Sequence, residues 1–154
     1  MSQALFDAIR NDDVAKVEAQ LNAHPEWVTE KDQRGSTPLL LATYYGNEEI
    51  AKAILKHPQQ IDTQDAVGNT ALMGVCFKGF KNLAELLIEN GADVNLTNFN
   101  GATALIFAAT FNHPALVELL LERGANPEIR DDKGNRALEH ARMQGVKAIV
   151  DLLS

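Results

Sequence analysis

Cysteine is almost absent from this chain: Cys76 is the single example in 154 residues, so no disulfide can form within it. One thiol cannot build a cysteine-based zinc site, and His24, His57, His113 and His140 stand at no zinc-ligand spacing. No run of about 18 apolar residues occurs, which predicts no membrane-spanning helix. Positive charge is scarce too, with 14 Lys and Arg against 21 Asp and Glu and a formal net charge of −7. Phosphate backbones and anionic membranes need clustered cations, so no nucleic-acid or membrane partner is expected; a basic or apolar protein surface fits better. The opening residues MSQALFDAIRNDD carry no basic segment ahead of an apolar stretch, so no secretory signal is predicted and a cytoplasmic location is the expectation.

Catalytic signatures are equally thin. The chain holds no G-x-G-x-x-G, P-loop, G-x-S-x-G or H-E-x-x-H pattern. His24, His57 and His113 each precede a proline, the chemistry of loops and helix starts. Cys76 falls among small residues and reads as an inert packing thiol. The acidic pairs Asp12/Asp13, Glu48/Glu49 and Asp131/Asp132 fall at helix starts or turns, where negative charge suits the helix dipole. Neither an enzyme nor a cofactor or metal is expected.

What is present is periodicity. In steps of 33, Gly35, Gly68, Gly101 and Gly134 share one column, and Leu39, Leu72, Leu105 and Leu138 another. Gly46, Gly79, Asn112 and Gly145 form a third; Ile50, Leu83, Leu116 and Ile149 a fourth; Ile54, Leu87, Leu120 and Leu153 a fifth. Each unit reads as helix, turn, helix, loop. Thr37, Thr70 and Thr103 can cap the first helix, and Pro38 suits its first position. Gly46 and Gly79 can take the left-handed conformation that ends it, with Asn112 as a substitute. Apolar residues at i, i+3 and i+4, as in Leu83, Leu86 and Leu87, mark the second helix. It stops at Gly91 and Gly124, and at Pro58 in the second unit. No such unit buries its apolar faces alone, so the core must come from stacking.

The stretches "DQRGSTPLLLATYYGNEEIAKAILKHP" and "NGADVNLTNFNGATALIFAATFNHPALVELLLERGANPEI" resemble the ankyrin repeat, whose pattern is roughly D-x-x-G-x-T-P-L-H-x-A-A…G…LL…GADVN. The resemblance implies an all-α ankyrin-repeat solenoid of stacked helix-turn-helix units with β-turn, hairpin-like loops. One domain, 1–154, would hold five units: an N-terminal cap 2–31, then 32–64, 65–97 and 98–130, and a C-terminal cap 131–154. The first unit is one residue longer before Gly35. The family's histidine is replaced by Leu40, Met73, Ile106 and Glu139, so the polar bridges it makes between loops are expected to be missing. Arg136 takes the place of the capping threonine in the last unit, a change that a solvated terminal cap could tolerate.

Ankyrin-repeat proteins generally bind other proteins through the turn tips and the open side of the first helices. Carried onto this chain, the tips hold Arg34, Val67, Phe99 and Asn100, and the helix ends hold Tyr44, Tyr45, Phe77, Lys78, Thr110, Phe111 and Met143. Five of the nine aromatic residues fall in these positions, forming a stripe of the kind that anchors protein interfaces. Arg10, Arg34 and Lys78 add positive charge at its edge. Phe77 and Phe111 have a second reading, sideways packing between units, while Phe6, Trp27, Phe80 and Phe107 read as core or loop packing. The expected function is a non-catalytic module that docks a partner protein, monomeric in itself. The alternative is a self-assembling protein whose stripe closes a homodimer.

Overall fold

The computed structural model describes residues 2–154. Its helices are α1 (Gln3–Arg10), α2 (Val14–Ala23), α3 (Pro38–Tyr44), α4 (Glu48–Leu55), α5 (Ala71–Lys78), α6 (Lys81–Glu89), α7 (Ala104–Thr110), α8 (Pro114–Glu122), α9 (Ala137–Gln144) and α10 (Lys147–Leu153). A 3-10 turn, Pro25–Thr29, follows α2, and no strand occurs among the described residues. The first helices stack in chain order, α1 on α3, then α5, α7 and α9, and second helices pack beside them, α2 on α4 and α6 on α8 on α10. The fold is an all-α repeat solenoid.

Local chemistry explains where the helices begin and end. The hydroxyls of Thr37, Thr70 and Thr103 accept the N–H of Leu40, Met73 and Ile106 at 3.2, 3.3 and 3.2 Å, each pairing an otherwise orphaned amide. The first helices end at residues of positive φ: Gly46, Gly79, Asn112 and Gly145, with Asp12 in that role in the longer first unit. Between them lies one continuous core. Leu39, Leu72 and Leu105 from the first helices and Ile50, Ile54, Leu83, Leu87, Leu116 and Leu120 from the second are all fully buried, each side chain contributing about 1.5–3 kcal/mol. Leu138 and Leu153, the same columns in the last described unit, are only half-buried.

The loops are closed by one side-chain oxygen apiece. Asp32, Asp65, Asn98 and Asp131 each accept two backbone amides of their own turn through one oxygen; for Asp65 these come from Val67 and Asn69, both at 2.9 Å. Backbone bonds complete a hairpin-like tip, as from the Asp65 N–H to the Asn69 carbonyl at 2.9 Å.

Two expectations need correction. The family's histidines are indeed missing, but loop-to-loop polar bridges persist on other residues. The Gln64 side-chain amide donates to the carbonyls of Gly68 and Thr97 at 2.8 and 3.1 Å, and that of Asn98 to Asn69 at 2.9 Å. Backbone joins tip to tip, from the Phe99 N–H to the Val67 carbonyl at 3.2 Å and from the Asp132 N–H to the Asn100 carbonyl at 3.0 Å. Nor is Arg136 merely tolerated in the threonine column. Its guanidinium meets Glu139 in a two-pronged pair, 2.8 Å at both contacts, and Glu139 also accepts the Arg136 N–H at 3.1 Å. Glu139 therefore supplies the reciprocal half of a capping box, pairing the amide of the cap residue itself. Hydrogen bonding to the Arg136 guanidinium holds the Glu139 carboxyl down to about 2.

Two predictions follow from these contacts. Gly68 and Gly91 both have positive φ, +86° and +97°, but only at Gly68 would a Cβ strike a neighbour, the Phe99 backbone N at 2.6 Å. Gly91→Ala should cost about 1–2 kcal/mol of left-handed strain, and Gly68→Ala about 1–3 kcal/mol more from overpacking, as read by urea unfolding. Equal losses would mean that the turn tips do not depend on that close approach. For Glu139, a folded-state pKa below the ordinary carboxylate value gives stability that is complete above about pH 4.5 and lost as pH falls toward 2. Thermal melts of Glu139→Gln should therefore fall less steeply than wild type across that window.

Candidate functional site

Every aromatic of the expected stripe reaches solvent. Tyr44, Tyr45, Phe77 and Phe111 are 46, 51, 37 and 45% exposed, and Phe99, Val67 and Met143 are exposed as well. The two readings of Phe77 and Phe111 are not exclusive. Their rings meet edge to face at 4.6 Å across the α5–α7 boundary, yet each leaves more than a third of its surface uncovered. Tyr44 and Tyr45 are 6.3 Å apart at a 59° tilt.

A cleft of about 870 Å³ opens beside these rings, between the turn tips and the first helices. It gathers Arg34, Tyr44, Tyr45, Val67 and Phe77 from the expected set. Phe111 adjoins it through Phe77, and Lys78 through Tyr44, over whose ring its Nζ sits 4.4 Å from the centroid. Phe99, Asn100, Thr110 and Met143 lie outside the cleft lining. Phe99 instead lies against Gly68 on the neighbouring tip. The Thr110 hydroxyl is already used, donating to the Ile106 carbonyl at 2.7 Å.

The helix ends that carry the rings are fixed by a tiling between units. The Phe80 ring lies so close over Gly46 that a Cβ there would sit 2.9 Å from it, and the His113 ring lies in the same way over Gly79, at 2.6 Å. His113 Nε2–H donates to the Phe77 carbonyl at 3.0 Å. The Asn47 side chain bonds Asp12 in the corresponding place of the first boundary. Phe80 is thus a packing residue, as expected, and Trp27 stacks on His24 at 4.1 Å beside the first loop.

Phe107 packs against the core, as expected, and belongs to the cleft as well. It is half-buried, lines the cleft, and lies 6.4 Å from both Phe77 and Phe111. The signal was available in the repeat: the column Leu41, Gly74, Phe107, His140 stands one turn before the helix-end positions.

Charge at the cleft is unevenly committed. Asp32 and Asp65 line it, but both spend an oxygen on their turn amides. Asp32 also holds Arg10 at 3.3 Å, and Arg10 in turn reaches Asp7 at 3.5 Å. Arg34 lines the cleft, is exposed, and has no carboxylate partner among the described residues.

No cluster of three or more potential metal ligands occurs among the described residues. Cys76 is fully buried, and burial pushes its thiol well above the ordinary range, away from nucleophilic reactivity. Burial also raises the Asp62 carboxyl, against the lowering effect of the Asp93 N–H, but this pair is outside the cleft. Asp131 titrates low: burial would raise it, but hydrogen bonds from the Asn135 N–H, from His140 at 2.7 Å and from the Lys133 N–H outweigh that. These groups tie down the last loop. No helix among the described residues is long and apolar enough to cross a membrane.

Comparison with curated proteins gives no match. A family model described as ankyrin repeats (3 copies) matches residues 5–98 and, in a second, overlapping match, residues 75–154. With the stacked helix pairs, left-handed helix ends and hairpin-like tips described above, that coverage settles the family: the chain is an ankyrin-repeat protein.

Proposed function

We propose that this protein is a non-catalytic docking module that binds a partner protein along its concave face and turn tips. Ankyrin repeats are generally protein–protein interaction modules and typically lack catalysis. The observation that carries the proposal for this chain is the row of exposed rings, Tyr44, Tyr45, Phe77 and Phe111, crossing successive units beside an open cleft. Contiguous apolar surface of this kind on a single chain marks a contact site. Aromatic side chains give it large area at low entropic cost. A partner covering the stripe and the tips Arg34, Val67, Phe99 and Asn100 would bury about 800 Å² on each side. Lys78 and Met143 would extend the contact at its edges, and Thr110 would add only its methyl group. No metal or cofactor enters this function, and the net charge of −7 argues for a protein rather than a nucleic acid or an anionic membrane.

Self-association through the same stripe is the competing use, and sedimentation separates the two. A chain that sediments as a monomer at all concentrations leaves the stripe free for another protein; a stable dimer would cover it. The central test is the triple variant Tyr45→Ala, Phe77→Ala, Phe111→Ala. Partners captured by wild type and then purified should bind it at least a hundredfold more weakly, the effect of losing about 2.8 kcal/mol, which one or two anchors of this type supply. Its melting temperature should fall by only a few degrees. A collapse of tens of degrees would show the rings to be core, and undiminished binding would move the interface elsewhere.

A further inference from the structure

We propose that the gap above Gly74 is a pocket for one apolar side chain of the partner, and that an acidic residue beside that side chain pairs with Arg34. This rests on the docking function proposed above and names the chemistry of the occupant.

Gly74 sits inside α5, with its N–H donating to the Thr70 carbonyl at 3.1 Å. A glycine in a helix interior is less favourable than alanine by about 0.8–1 kcal/mol. The fold gains nothing in return. Unlike Gly46, Gly68 and Gly79, Gly74 has no left-handed φ, and a Cβ built on it meets no atom within 4 Å. The space left by the missing side chain opens into the cleft, where Gly74 is part of the lining. The equivalent residues of the adjacent units, Leu41 and Phe107, line the same cleft and supply apolar walls on either side. Met73, Tyr44 and Phe77 complete an apolar surround. The result is a hole in an otherwise filled apolar column, open on the face that a partner would cover.

The charge around it selects the neighbour of that side chain. Asp32 and Asp65 are engaged by their own turns, while Arg34 is exposed without a carboxylate partner among the described residues. Lys78 rests on the Tyr44 ring and not on an acid. Asp32 and Asp65 keep their negative charge, but Asp32 already holds Arg10, and the cations left without an acid at the cleft and its edge are Arg34 and Lys78, on a chain whose net charge is −7. That complementarity favours an acidic segment of a different protein over a second copy. A two-fold dimer sets the same patch against itself, bringing Arg34 and Lys78 toward their own counterparts.

The probe is a random-peptide phage library panned on the full chain, followed by affinity measurement with the enriched peptides made synthetically. Enriched peptides should share an aliphatic or aromatic residue with Asp or Glu close by. Gly74→Leu should weaken them at least tenfold, about 1.4 kcal/mol. Gly74→Leu and the milder Gly74→Ala should melt no lower than wild type, since both residues favour a helix. Arg34→Glu should weaken the acidic peptide more than its Asp→Asn or Glu→Gln counterpart. Peptides that lose binding to the triple alanine variant, yet bind Gly74→Leu undiminished or show no acidic preference, overturn the pocket and leave the docking face standing. Peptides indifferent to the triple variant, or no enrichment at all, overturn both. A wild-type dimer that Gly74→Leu dissolves would give the pocket to a second copy and overturn the acidic partner.

Discussion

Everything in this molecule depends on how closely the first helices approach one another. One column facing the neighbouring helix reads Ala42, Val75, Ala108, Ala141, with Ala8 as its counterpart in the first unit, and all five are fully buried. A second reads Pro38, Ala71, Ala104, Ala137, again all buried. Interaxial distance is set by the side chains at the contact, and small ones bring these helices close. Bulky residues are thereby confined to two places. The leucine and isoleucine columns turn toward the second helices and become the core; the rings at the helix ends have no room between units and stand at the open face.

Close stacking also makes the boundaries chemically specific. With the helices so near, the residue after each left-handed turn reaches the unit before it: Asn47 to Asp12, Phe80 to Gly46, His113 to Gly79. On the other side, turn tips join through backbone bonds and the side-chain amides of Gln64 and Asn98. Contacts on both flanks, hydrogen-bonded or ring on glycine, and apolar contact between them fix each unit's rotation relative to the next. The spacing of Tyr44, Phe77 and Phe111 follows from that rotation, so a surface spread over three units behaves as a single preformed one. Preformed surfaces spend less entropy on association.

Periodicity made the framework readable. A residue that recurs every 33 positions must do the same job in each unit, so caps, helix ends and core columns could be assigned from the chain itself. Exposure of the rings was readable for the same reason, since helix-end positions point away from the stack. Departures from the period were harder. The loss of the family's histidine said nothing of the amides that replace it, because Gln64 and Asn98 reach their partners only once two units lie side by side. Arg136 looked like a missing cap because its partner, Glu139, occupies the very column where that histidine was sought. Phe107 was assigned to packing by size and hydrophobicity, and it does pack against the core, but its place one unit after Gly74 leaves one side of the ring open to the cleft.

A repeat constrains most positions twice, once for the helix and once for the neighbour, and what it leaves unconstrained is informative. Gly46, Gly68 and Gly79 are required by both a left-handed backbone and a crowded neighbour. Gly74 is required by neither. The helix would be better served by alanine, and the adjacent unit offers nothing to collide with. On the proposal made above, Gly74 is kept for what lies outside the fold, the cleft between Leu41 and Phe107. Arg34 is unconstrained in the same sense: its amide is spent on the turn through Asp32, but its guanidinium has no acid to hold it. The two positions that stacking leaves free line one cleft, and the proposed pocket rests on that coincidence.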